Sequence, residues 1–255
     1  MKTITARIPS FTGKFYPEQE RDVLAQIRNL QKQAVREASA EVPRVEKING
    51  LIVPHAGWRY SGKTATVAYG LLEKARPEKI ALLGPAHAYH LVGIAADDHN
   101  RWMTPLGSID IIHDDFFEVN NAAHRQEHSL EVQMPLIRHF APEADVLPLV
   151  VGDLDTFEAE IVAAHLIEEG YFPIFSTDLS HFHSLKSANE IDRRSITNIE
   201  RLNSGEIDAC GRYPLRIAFS YCRMTGSKPL LLDYTTSAET TKNTHRVVGY
   251  ASFVI

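Results

Sequence analysis

Four apolar runs constrain this chain most: GLIVP at 50–54, KIALLGP at 79–85, DVLPLVVG at 145–152 and YFPIF at 171–175. Each is short and almost unbroken in its hydrophobicity, the pattern of a strand covered on both faces. Between and around them the apolar spacing changes to that of helices. Val23, Leu24, Ile27, Leu30 and Val35 mark one such stretch within 18–41. Others are expected at 60–75, 127–140, 156–170, 186–203 and 214–224, with further strands at 91–96, 106–112, 229–234 and 246–254. Alternation of this kind argues for βαβ units. The expectation is one α/β domain over 1–255, a mixed, mainly parallel sheet with helices on both faces. No repeat, low-complexity tract or linker divides it.

Ligands of such sheets bind outside the carboxyl ends of the strands, so the polar residues just after the apolar runs matter most. GLIVP is followed by His55, KIALLGP by His87, and YFPIF by STDLSH with Asp178 and His181. Neighbouring parallel strands would present these groups at one sheet edge. Imidazole suits iron, copper or zinc, and two histidines with a third anionic ligand leave coordination positions open. Asp178 either orients the His181 ring, three residues on, as the support of a general base, or caps the following helix.

The chain has only two cysteines, which argues against a disulfide framework or a cysteine knuckle. Cys210, in DACGRYPL, precedes a helix start, where the dipole lowers a thiol pKa and suits metal ligation or nucleophilic attack. Gly211 permits an unusual backbone angle there. Cys222, amid apolar residues of a helix, reads as packing. His128 and Glu131 lie one helical turn apart, either at the pocket or as an exposed pair. Trp58, Tyr60 and His128 are the expected substrate-side residues. His90, His183 and His245 have weaker claims to the pocket, and the other histidines read as surface or packing residues.

The segments VPHAGWRYSG, LLGPAHAYH, EHSLEVQMP, STDLSHF and ACGRYP, in this order and preceded by GKFYP, resemble the Memo-like family, including AmmeMemoRadiSam system protein B. The likeness runs from about Gly13 to the terminal VVGYASFVI. It implies a fold like that of the class III extradiol dioxygenases, in which two histidines and a glutamate hold non-haem iron. Carried over by position, it implies His55, His87 and Cys210 as metal ligands, with His181 matching the acid/base histidine and Asp178 beside it. Cysteine in place of glutamate is a softer ligand, which opens the site to copper or zinc as well as iron. The family name further implies radical-SAM and AMMECR1-like partners.

Three functions are compatible with these residues. The first is a metal-dependent redox or dioxygenase-like enzyme. The second is a non-catalytic protein that holds a peptide or small ligand in the same cavity, with Arg59 and Arg212 supplying charge. The third is hydrolysis with Cys210 as nucleophile and His181 as base. A net charge of −5 gives no global attraction for nucleic acid or anionic membrane, and no apolar stretch is long enough to span one. The absence of a signal-type opening makes the cytoplasm the expected location.

Overall fold

The computed structural model describes residues 5–37 and 47–255. In chain order the elements are β1 (Ala6–Arg7), α1 (Glu20–Glu37), β2 (Leu51–Val53), α2 (Trp58–Tyr69), α3 (Leu72–Ala75), β3 (Lys79–Pro85) and β4 (Ile94–Ala96). A hairpin of β5 (Arg101–Thr104) and β6 (Gly107–Asp110) follows, then β7 (Glu118–Val119), α4 (Asn121–Arg125), α5 (His128–Glu131), α6 (Met134–Phe140) and β8 (Asp145–Val151). The rest is α7 (Thr156–Glu168), β9 (Phe172–Ser176), β10 (His181–His183), α8 (Leu185–Glu200), α9 (Arg212–Thr225), β11 (Leu230–Thr236), α10 (Ala238–Thr241) and β12 (Val247–Val254).

Nine strands form one sheet in the order β10-β12-β2-β9-β3-β8-β4-β7, with β11 paired to β12. Its centre, β2-β9-β3-β8, is parallel throughout. The flanks are antiparallel: β12 against β2, β11 and β10 on one side, and β4 against β8 on the other. β1, β5 and β6 make a small second sheet.

The four apolar runs are buried because alternate side chains enter two different cores. Leu51, Val53, Ile80, Leu82, Val146, Val150 and Ile174 pack with Val23 and Ile27 of α1, Ala65 and Tyr69 of α2, and Ile137 and Phe140 of α6. Ile52, Ala81, Leu83, Leu147, Leu149, Val151 and Phe175 pack with Val162 and Leu166 of α7 and with Leu215 to Cys222 of α9. Each fully buried Leu, Ile or Val contributes about 1.5–3 kcal/mol over an exposed one, so both faces of the sheet are anchored. Cys222 is one of these packed side chains, as expected.

Three expected elements differ. The helix within 18–41 is described as Glu20–Glu37, and positions 38–41 lie outside the described residues. The helix of 60–75 starts at Trp58 and is broken by a turn at Gly70-Leu71. The helix of 127–140 is two helices, because Pro135 has no N–H with which to continue the ladder from α5. Among the described residues no helix is long and apolar enough to cross a membrane.

Candidate metal centre

Register brings the polar strand ends together. Val53 of β2 lies beside Ser176 of β9, and Phe175 beside Leu83 of β3. His55 and Asp178 each follow their strand by two residues, and His87 follows Pro85 by the same step. Cys210 arrives from the loop before α9. A Cβ at Gly211 would sit 2.5 Å from both the Ser176 carbonyl oxygen and Thr177 Cβ. Gly211 has ordinary negative φ, so glycine is needed there for close approach and not for an unusual angle. The Gly211 N–H donates to Thr177 Oγ1 at 2.9 Å, which fixes the preceding cysteine against the end of β9.

The result is a compact donor set: one ligand atom from each of His55, His87 and Cys210, all within 4.8 Å of one another. Cys210 Sγ is 3.2 Å from His55 Nε2. On the far side of that ring, His55 Nδ1 meets Ser176 Oγ at 2.7 Å. Ser176 accepts from Gln133 Nε2, which also donates to the Pro54 carbonyl, while Tyr69 OH donates to Gln133 Oε1. Since the Pro54 oxygen only accepts, the Gln133 amide has one possible orientation. His87 is held differently. Its backbone N–H donates to Glu127 Oε2 at 2.6 Å and its Nδ1 lies 2.9 Å from Oε1, leaving Nε2 to face the cluster. A carboxylate behind a histidine is the usual support of a metal ligand.

Burial favours the neutral imidazole at His55, His128 and His181. Burial, then the neighbouring His87, His128 and His181 rings, pushes the His55 pKa well below its ordinary value. Burial likewise lowers His128 and His181. For Glu127 burial opposes ionisation, but the His87 ring and the N–H groups of His87 and Ser129 outweigh it and draw the pKa down to about 2. Burial raises the Asp178 carboxyl to about 7, against the pull of the His55 N–H. Cys210 departs from expectation. Burial and the Asp178 charge raise its pKa, overriding the helix start behind it. A cation is the partner that would reverse this, since a coordinating thiol loses its proton.

The structure unites His55, His87, Cys210 and His128, whose ring stacks on His87 at 4.7 Å and lies 5.6 Å from His55. His181, half-buried at the start of β10, is near enough for its charge to act on His55. Asp178 has another task than orienting it. The carboxylate accepts from the His55 N–H at 2.8 Å, and its backbone N–H donates to Cys210 Sγ at 3.3 Å. Among the described residues no hydrogen bond joins Asp178 to the His181 ring. The cap of α8 is Ser184, so Asp178 caps nothing there. Trp58 is in the core, its indole N–H on the Val132 carbonyl, and not on the pocket wall. Tyr60 is exposed. Arg212 is stacked on Tyr213. His183 faces Asp208, and His90 and His245 are exposed. Glu131 is buried, not an exposed partner of His128. Sequence reading missed Glu127, Ser176 and Gln133. The only available signal was that Glu127 directly precedes His128.

Fold and site together define an α/β protein whose sheet edge carries two imidazoles and a thiol able to hold one ion. The profile of the family described as Memo-like protein matches residues 7–254, and the chain belongs to that family. It is 30% identical to a MEMO1 family protein of Methanobrevibacter smithii, over 96% of this chain and 98% of the relative. It is 31% identical to one of Aquifex aeolicus, over 97% and 98%. A crystal structure of an uncharacterized Escherichia coli K12 protein matches with a TM-score of 0.48 and 12% identity, over 82% of this chain and 100% of that one.

Proposed function

We propose that this chain is a metal-dependent redox protein of the dioxygenase-like kind, with iron or copper held by His55, His87 and Cys210. The observation that carries this reading is the convergence of the three donors within 4.8 Å, each backed by its own hydrogen-bond partner. The donor set fits such an ion. Both imidazoles have a second nitrogen engaged elsewhere, and the buried thiol would release its proton only where a cation took its place on the sulfur. A redox metal there would supply electron transfer and open coordination positions for a substrate.

The chain's own groups do the rest. Ser176 and Glu127 orient the two rings. The backbone of Asp178 sets the sulfur. His181, kept neutral by its burial, stands ready to accept a proton at the pocket side. The nucleophile reading is weaker, because the burial that surrounds Cys210 and His181 favours thiol and neutral imidazole, not the thiolate–imidazolium pair that attack requires. Protein purified and loaded anaerobically is expected to carry close to one iron or copper per chain by elemental analysis, and His55→Ala and Cys210→Ser to lose it. Equal metal content in both variants would sink the assignment. Tight ligand binding by metal-free protein, without turnover, would instead favour the ligand-holding function.

A further inference from the structure

We propose that residues 10–16 form a strap closing one side of the imidazole cluster, and that Glu131 is the positioning residue that holds it there. Among the described residues no strand outside the segment pairs with it; its one bridge, Thr12 with Tyr16, is internal. Glu131, 2% exposed at the end of α5, takes backbone donors of the segment instead. Its Oε1 accepts from the N–H groups of Ser10 and Phe11 at 2.8 and 2.7 Å and from Tyr16 OH at 3.1 Å. Its Oε2 accepts from Ser10 N–H at 3.0 Å and from Arg7 Nη2 at 3.4 Å. One buried carboxylate thus gathers three donors from the two ends of the segment, and a fourth from Arg7 of β1 just before it.

Between these ends the chain folds into a tight turn. Gly13 N–H donates to the Tyr16 carbonyl at 2.7 Å, and Phe15 N–H to that of Phe11 at 3.0 Å. Gly13 has φ +75° with open space around it, so the tip is free of packing. The turn aims two rings inward. Phe11 and Phe15 lie 5.3 Å apart, edge to face, and sit 5.8 and 4.9 Å from the His128 ring. His128 in turn stacks on His87. A second fastening runs from the Trp58 N–H to the Phe15 carbonyl at 2.8 Å.

α5 therefore works in two directions. His128 faces the cluster, and Glu131 one turn later ties down the segment that covers His128. Removing the carboxylate leaves the strap's three donors, the Ser10 and Phe11 N–H groups and Tyr16 OH, to find water, which they do most readily with the strap lifted. The inference stands on this geometry whether or not an ion occupies the cluster.

The test uses full-length, metal-free protein and compares wild type with Glu131→Gln. Diethyl pyrocarbonate labelling read by mass spectrometry should modify His128 on the order of ten times faster in the variant, a rise expected from weakened charge-assisted bonds. Trypsin cleavage after Lys14 should accelerate in parallel, while cleavage after exposed Lys242 stays unchanged. In NMR spectra the His128 ring protons, displaced in wild type by the two phenyl rings, should move toward unstacked positions. Phe11→Ala with Phe15→Ala, which spares Glu131, should reproduce the labelling and the spectral change if the first variant does not fold. Equal His128 labelling and an unchanged spectrum in folded Glu131→Gln and in the double phenylalanine variant would overturn the proposal.

Discussion

Glu127 concentrates several tasks in one side chain. It caps α5 through the Ser129 N–H, binds the His87 N–H and orients the His87 ring. Its pKa of about 2 against an ordinary 4.5 is therefore also a statement about stability. The folded state holds the proton less tightly than the unfolded chain. The stabilisation is complete above pH ~4.5 and is lost as pH falls toward ~2. At neutral pH it is on the order of 3 kcal/mol, from roughly 1.4 kcal/mol per unit. Glu127→Gln should accordingly unfold at lower urea concentration than wild type at pH 7, and the gap should narrow between pH 5 and 3. Urea titrations of metal-free protein across that range, with a constant gap, would contradict the assignment of the shift to the hydrogen bonds that His87 and Ser129 give the Glu127 carboxylate. Its place directly before His128 is the one mark it carries in the sequence, since the ring it orients lies 40 positions away.

At the scale of elements, the strands that carry the site and a helix over 127–140 were legible, but the division of that helix into α5 and α6 was not. KIALLGP reads as a buried strand because an unbroken apolar run bounded by Gly-Pro has few other solutions, and β3 occupies those positions. His55 and His87 could be collected from strand ends alone. EHSLEVQMP, in contrast, has continuous helical spacing, and the break before α6 comes from the placement of Pro135. Within the resulting single turn, His128 and Glu131 serve different neighbours. α5 rests on β3 through Ser129, whose Oγ donates to the Pro85 carbonyl at 3.1 Å. A Cβ on Gly84 would lie 2.5 Å from Ser129 Oγ and 2.8 Å from Leu130 Cδ2. Gly84→Ala must push α5 outward and carry Glu127 away from His87. The expected cost is about 1–3 kcal/mol from overpacking, less the few tenths gained by restricting the unfolded chain. Metal affinity should fall with it, by roughly ten- to a hundredfold for a displaced supporting carboxylate. Calorimetric titration with Co(II) beside a melting curve separates the two effects; a destabilised variant with wild-type affinity would mean that α5 does not set the ligand geometry.

Across the whole molecule, the site joins parts of the chain that local contacts leave far apart. His55 follows β2 near the start, and Cys210 precedes α9, 155 positions later. The likeness to a family supplied the order of these residues, and the strand pattern supplied the edge on which they meet. β11 and β12 were legible as strands at 229–234 and 246–254, but β10 and the antiparallel pairing of β12 with β10 and β2 lay beyond both, because those pairings join distant segments. An ion held by residues from β2, β3 and the α9 loop has no counterpart site in the unfolded chain, so binding must add to folding stability. At a free ion concentration one hundred times the dissociation constant, the gain is about 2.7 kcal/mol. For a chain of 255 residues each kcal/mol raises the melting temperature by roughly 2–4 °C, giving an expected rise of about 5–10 °C. The rise should reverse with chelator, vanish in His55→Ala, and persist in Glu131→Gln, whose side chain lies outside the donor set. Scanning calorimetry with Fe(II) under anaerobic conditions, and with Zn(II) as a redox-inert comparison, measures it directly. A melting temperature indifferent to both ions at saturating concentration would mean that the three donors do not bind an ion as a unit.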